Sequence, residues 1–251
     1  MREHIEQLIT GAGAMETFVA LPEHAPHGAL ILYMDVWGIR DELRAIARDV
    51  AASGYACFLP DLYYREGHVR HQFVDEQGRM RSLLSLTPDE QEQVRGPMRR
   101  LTDDMAMDDT RALLARLGGI YPCMGAVGYC MGGRHALLAG GLFPDAVRIV
   151  ACLHGSNLVN ETPSSPHVIA AQIRGEAYCG FAEHDPFGSE DVRECLKTRF
   201  ARDGARLTCA VHSGAQHGYA LPERDVYDAQ ATKRDWNQIH MMLARRRREL
   251  A

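Results

Sequence analysis

Several signatures are missing from this sequence, and each absence removes a class of function. No apolar run approaches the roughly 20 residues needed to cross a bilayer, and Met1-Arg2-Glu3-His4 is not followed by an apolar signal segment. No glycine-rich GxGxxG follows a strand-like run, so no dinucleotide cofactor is expected. His24, His27, His68 and His71 have neither zinc-motif spacing nor paired cysteines near them, so no metal is expected either. The seven cysteines are odd in number and lack CxxC spacing, which argues for reduced thiols in a cytoplasmic protein rather than a disulfide framework. An excess of positive charge is also lacking. The formal net charge is -5, which gives nucleic acid no general attraction. The one basic run, Arg245-Arg246-Arg247-Arg248, sits in the last turns of an apparent C-terminal helix, where cations complement the macrodipole.

What is present is an ordinary soluble composition, 46% apolar and 24% charged over 251 residues, enough for one large α/β domain. A small molecule is the expected partner. Two alternating segments, His4 to Thr10 and Met15 to Ala20, flank Gly11-Ala12-Gly13 and read as an antiparallel hairpin. "GALILYM" is an almost unbroken apolar run, as in a strand buried on both faces, and Arg40 to Ala52 follows with helical periodicity. "GYACFLP" is the next strand.

Residues 61–97 carry many charges and little strand character, apart from a capping box with proline at the first helical position, Thr87-Pro88-Asp89-Glu90. That segment is too long for an ordinary connection and reads as an insertion roofing a pocket. A long helix over Met98 to Leu117 is expected after it. Strand and helix then alternate: Met124 to Tyr129, Gly132 to Leu142, Val147 to Leu153, Glu176 to Phe181, Asp191 to Ala201, Arg206 to Val211, and a last helix from about Asp225. Such alternation builds a mostly parallel sheet with helices on both faces, and ligands gather at the carboxyl ends of its strands. No repeat or linker divides the chain, so 1–251 reads as one domain.

Gly128-Tyr129-Cys130-Met131-Gly132 lies between a strand and a helix and fits the G-x-nucleophile-x-G elbow. The turn exposes its central side chain, here a thiol, and aims the N–H of Met131 at an oxyanion. It also puts Cys130 at a helix N-terminus, which favours the thiolate. A thiol nucleophile needs a base and a group to orient that base, in the chain order nucleophile, acid, histidine. Asp185 follows the strand "GEAYCGF", and His217 follows "RLTCAVH". Rival histidines are His154, His184 and His212, and the rival acid is Glu183.

With these elements placed, the chain resembles the dienelactone hydrolase family of the α/β-hydrolase fold from about Gly28 to the C-terminal helix. The resemblance rests on Gly128-Tyr129-Cys130-Met131-Gly132-Gly133, Pro60-Asp61-Leu62-Tyr63, the Asp185-Pro186 turn and Gly214-Ala215-Gln216-His217-Gly218. It implies a Cys130, Asp185 and His217 triad hydrolysing an ester or enol-lactone through an acyl-enzyme thioester. It also implies that Asp35 takes the place of a family glutamate that helps activate the cysteine, and that the N–H of Val36 is a second oxyanion donor. The family's carboxylate-binding arginine, four residues after the histidine, is here Leu221, and none of Arg65, Arg70, Arg81, Arg99 or Arg100 could be assigned to its role. Neutral activated esters are therefore expected to match or beat carboxylated lactones. Two other readings are a thioesterase and a non-catalytic binding or redox-sensing protein on the same fold.

Overall fold

The short Gly11-Ala12 turn lets Arg2–Thr10 (β1) pair antiparallel with Gly13–Leu21 (β2), and in this hairpin the outer strand buries little beyond Leu8 while β2 buries Met15, Phe18, Val19 and Ala20. The computed structural model describes residues 1–67, 69–203 and 205–250; His68, one of the histidines set aside above as lacking zinc-motif spacing, lies outside them. β2 continues antiparallel onto Ala56–Pro60 (β4), and from there every pairing is parallel: Ala29–Tyr33 (β3), Met124–Tyr129 (β5), Val147–Leu153 (β6), Glu176–His184 (β7) and Arg206–Gln216 (β8). The order across the eight-stranded sheet is β1-β2-β4-β3-β5-β6-β7-β8. The inner strands β3, β4 and β5 are buried along their whole length, as their unbroken apolar runs require of strands covered on both faces.

Asp41–Ala52 (α1) has Asp41 and Glu42 in its first turn, where the helix dipole favours carboxylates. Thr87 caps Pro88–Arg100 (α2) as the sequence predicts: its hydroxyl accepts from the Glu90 N–H while the Glu90 carboxylate accepts from the Thr87 N–H. The expected single helix over Met98 to Leu117 is instead two. α2 ends at Arg100, Leu101 is extended, and Thr102 starts Asp103–Leu117 (α3) by accepting from the Met105 N–H. A threonine that can cap a new helix ends the old one, and hydrophobic periodicity alone does not show the break.

Met131–Leu142 (α4) follows the elbow. Pro166–Ile169 (α5) is a single turn that the sequence reading missed. Glu190–Asp203 (α6) comes next, and Ala229–Leu250 (α7) starts four residues later than expected. The reason for the late start is local. Asp228 accepts from the N–H groups of Gln230 and Ala231, the pattern of an N-cap, so the preceding residues stay in the loop. The basic run at the end of α7 is divided, Arg245 pairing with Glu176 and Arg246 with Glu249, while Arg247 donates to His27. All seven cysteines are free. Among the described residues no helix is long and apolar enough to cross a membrane.

Candidate active site

The turn from β5 into α4 gives Cys130 a backbone that most residues avoid, with φ 54° and ψ -114°. A positive φ at a residue with a Cβ costs about 1–3 kcal/mol and persists only where the surroundings enforce it. Here they do so through two glycines. A Cβ on Gly128 would overlap the Gly132 carbonyl, and a Cβ on Gly132 would strike the carbonyl oxygens of Tyr33 and Met34. The elbow is therefore packed directly on the end of β3, the strand that leads to Asp35 and Val36. Only glycine permits that approach.

The strand ends then bring the sequence-separated residues together. Cys130, Met131, Val36 and His217 line one cavity of about 1010 Å³. Asp185, buried after β7, accepts from His217 Nδ1 at 2.8 Å and also from the Phe187 N–H at 2.8 Å, so the carboxylate is held while it orients the ring. The other ring nitrogen, Nε2, has no formed hydrogen bond among the described residues. Burial disfavours a charge on His217, but attraction to the Cys130 sulfur and the hydrogen bond to Asp185 outweigh it and raise the ring's pKa to about 10. The sulfur itself lies 3.8 Å from the Ser156 hydroxyl.

The rival residues have other work. His154 is buried beneath the His217 ring, 5.1 Å between centroids, and neither of its nitrogens has a partner among the described residues. Burial, helped by His217 and Arg224, holds it well below the ordinary histidine pKa, so it packs as a neutral platform. His212 donates or accepts at 2.6 Å with Asp235, sealed under Tyr178 and Tyr219. His184 is exposed on the cavity wall. Glu183 accepts from the Ser213 hydroxyl and the Gly214 N–H, tying down the bulged end of β8 rather than orienting His217.

Asp35 is buried and multiply held. Its carboxylate accepts from the Trp37 N–H at 3.1 Å and from both terminal nitrogens of Arg40, at 2.8 and 3.2 Å, and Arg224 lies 3.6 Å away. The charge that the resemblance assigns to cysteine activation is thus shared between two guanidinium groups. Arg40 also pairs with Glu42, and Glu42 in turn accepts from the Glu223 N–H at 2.5 Å, which joins the β3 loop to the loop carrying His217.

Sequence reasoning missed three residues here. Leu221 is fully buried in the core, but Arg224, three residues further, lines the cavity with its guanidinium 5.0 Å over the Trp37 ring. The cation that the departure at Leu221 leaves unassigned in the sequence thus has a candidate in Arg224. A loop arginine offers no periodic signal, and its direction is set by the Leu221 and Met80 backbone contacts that hold its turn. Tyr63 is the second. Its hydroxyl donates to the Val36 carbonyl at 3.2 Å and touches Met131 Sδ at 3.7 Å, bracing the two residues expected to offer oxyanion N–H groups. Asp61 accepts from the Tyr63 N–H, which gives the Pro60-Asp61-Leu62-Tyr63 motif a physical role. Ser156 is the third.

A sequence model of the dienelactone hydrolase family matches residues 15–246. A Salmonella typhi protein designated a candidate carboxymethylenebutenolidase is 26% identical over 231 residues, covering 90% of this chain and 80% of that one. A carboxymethylenebutenolidase of Rhodococcus opacus is 24% identical over 165 residues, 65% of this chain and 59% of that one. Among solved structures, a candidate dienelactone hydrolase from Klebsiella pneumoniae superposes with a TM-score of 0.81 at 19% identity, covering 97% of this chain and 98% of that one. The dienelactone hydrolase of Anabaena variabilis gives 0.62 at 16% identity, covering 95% and 97%. The mostly parallel sheet with its antiparallel N-terminal hairpin is the α/β-hydrolase fold, and the chain belongs to the dienelactone hydrolase family, a hydrolase acting on ester bonds.

Proposed function

We propose that this enzyme hydrolyses activated carboxylic esters or enol-lactones through a thioester on Cys130. One observation carries the reading: the His217 ring is held by Asp185 on one nitrogen and lies beside the strained Cys130, inside a cavity large enough for a substrate. Cys130 gives its proton to His217 and its sulfur attacks the carbonyl carbon, with the N–H groups of Met131 and Val36 facing the oxyanion. As the tetrahedral intermediate collapses, the carbon–oxygen bond to the leaving group breaks. The departing oxygen takes the proton from His217. Water then gives a proton to His217 and attacks the thioester, the carbon–sulfur bond breaks, and the proton returns to the sulfur. Asp185 fixes the His217 tautomer and stabilises its charged form throughout.

A thiolate leaves a tetrahedral intermediate more readily than an alkoxide does. Aryl esters, enol-lactones and thioesters should therefore turn over better than simple alkyl esters. Arg224 supplies the deep cation that Leu221 does not, and we assign it to a substrate carboxylate, with Asp35 and Trp37 keeping the guanidinium in place. Mixing the protein with excess p-nitrophenyl ester tests the scheme. A burst of one equivalent of nitrophenol, with the acyl group recovered on Cys130 after acid quench, is the expected result; turnover with the acyl group on no cysteine overturns it.

A further inference from the structure

The cavity that holds Cys130 is larger than its proposed chemistry requires. At about 1010 Å³ it stands at the upper end of sites that enclose drug-sized ligands. A substrate no bigger than one lactone ring with a short carboxylate arm would leave most of that space to water. Much of its lining comes from one segment, residues 82–102. The 3-10 turn Leu83–Ser85 and the last turns of α2 bring Leu83, Leu84, Met98 and Leu101 to the wall, with Arg95 and Arg99 beside them. Leu84 is 57% exposed although it faces a cavity, and Met98 and Leu101 are only half-buried. Four apolar side chains presented to solvent in one enclosed place mark surface that a ligand covers.

This wall is held in place. The Ser82 N–H donates to Asp225 at 2.9 Å, and Met80 exchanges backbone hydrogen bonds with Glu223 and Asp225, which fixes the 3-10 turn beside Arg224. At the other end, Arg134 of α4 donates from Nε to Asp103 at 2.7 Å and also to the Asn157 carbonyl, which fixes the α2–α3 break beside the helix that starts at Cys130. The apolar wall is thus anchored to the nucleophile's helix. Pro186, Phe187 and Gln216 flank His217, the proton donor to the leaving group, on a separate loop pair. A group that stays attached to sulfur after the leaving group departs has the wall as its neighbour.

We propose that the substrate carries a long or bulky apolar acyl group, bound against Leu83, Leu84, Met98 and Leu101, and that this wall sets acyl specificity. The inference rests on the thioester reading above. It is tested with p-nitrophenyl acetate, butyrate, hexanoate and octanoate, which keep the leaving group constant. Burial of each added methylene should raise kcat/KM roughly threefold to fourfold until the wall is covered. We expect octanoate to exceed acetate at least tenfold by the same burial argument. In a Leu84→Ser/Met98→Ser variant that retains the native circular dichroism spectrum, the octanoate-to-acetate ratio should fall to within a few-fold of unity. Leu84→Ser alone, at an exposed position, serves if the double variant does not fold, and should lower the same ratio partway.

A flat or falling acyl series, with the burst and acyl-Cys130 intact, overturns this inference and leaves the thioester reading standing. An unchanged ratio in the folded variants also overturns it, because the chain then lies elsewhere. A rise seen only when the leaving group is lengthened, in acetyl thioesters of longer thiols, overturns the acyl assignment. Absence of both burst and acyl-Cys130 with every ester refutes the thioester reading itself, and this inference with it.

Discussion

Among the described residues two aspartate–histidine pairs have nearly the same length, 2.8 Å between Asp185 and His217 and 2.6 Å between Asp235 and His212. They differ in what surrounds the histidine. Asp235 is fully buried and also accepts from the hydroxyls of Tyr178 and Tyr219, at 2.5 and 2.7 Å, so its pair ties α7 to β7, β8 and the loop beyond. Asp185 holds a ring that opens on a cavity and faces a thiol. The couple is the same chemistry in both places. A second nitrogen without a hydrogen bond, a thiol beside it and space for a substrate support the role proposed for the first pair, whereas the second is a buried polar fastening.

The largest effect that would sharpen this contrast is expected at the nucleophile. Cys130→Ala should lower kcat by ~10⁴-fold or more with thermal unfolding little changed, because a side chain that lines a cavity contributes little packing. Native-like turnover of activated esters by the folded variant would remove Cys130 from the mechanism. His217→Ala should behave alike. Asp185→Asn should cost less, ~10²–10⁴-fold, since an imidazole with the wrong tautomer still serves part of the time. The buried pair should respond in the opposite way. Asp235→Asn should destabilise the protein by about 3–5 kcal/mol in urea unfolding, and leave kcat/KM per folded molecule within a few-fold. Should Asp235→Asn abolish turnover in a stable fold, the two pairs would be coupled and the contrast would fail.

Smaller effects concern the charges around the site. Arg224→Met should lower kcat/KM for a carboxylated ester relative to a matched neutral ester by ~30-fold or more, the loss of one buried charge-assisted partner. Equal losses for both esters would mean that Arg224 only holds Asp35. Asp35→Asn should quicken alkylation of Cys130 by a small neutral reagent near pH 7 and slow turnover, the outcome expected of the activating role that the resemblance gives this acid. Coincident alkylation profiles in the two proteins would remove Asp35 from the site.

The pH dependence of stability gives the smallest signal. His217 has its pKa raised to about 10, above the unfolded value near ~6.5. Its contribution to stability is therefore complete below about pH 6.5 and is lost as pH rises toward 10. Part of that shift comes from the Cys130 sulfur. Urea titrations should show a shallower decline over this window in Cys130→Ala than in the native protein, and parallel curves would deny the sulfur–imidazole interaction. Buried His135, lowered to about 4 chiefly by burial, has the reverse sign: its contribution is complete above about pH 6.5 and fades as pH falls toward 4.

Much of the fold was legible because buried strands write themselves as apolar runs and helices as periodic ones. The hairpin, the central strands and the α2 capping box were all visible in this way. The break between α2 and α3 was not, since Thr102 looks like any polar residue on a helix face until its hydroxyl caps Met105. Cys130, Asp185 and His217 could be nominated from chain order because each follows a strand, and parallel strands deliver their carboxyl ends to one edge. Arg224 and Tyr63 lie in loops, where no periodicity reports which way a side chain turns.

The sequence alone determined the strand–helix alternation, the elbow and the chain order of Cys130, Asp185 and His217, because those depend on local backbone preference and on the common polarity of a parallel sheet. Only the tertiary structure decided which histidine pairs with which acid, that Asp35 is shared by Arg40 and Arg224, and that Leu83, Leu84, Met98 and Leu101 meet on one cavity wall. Those outcomes depend on distances between loops far apart in the chain. Such distances are set by packing and by competition among several possible partners, neither of which is written in any one segment.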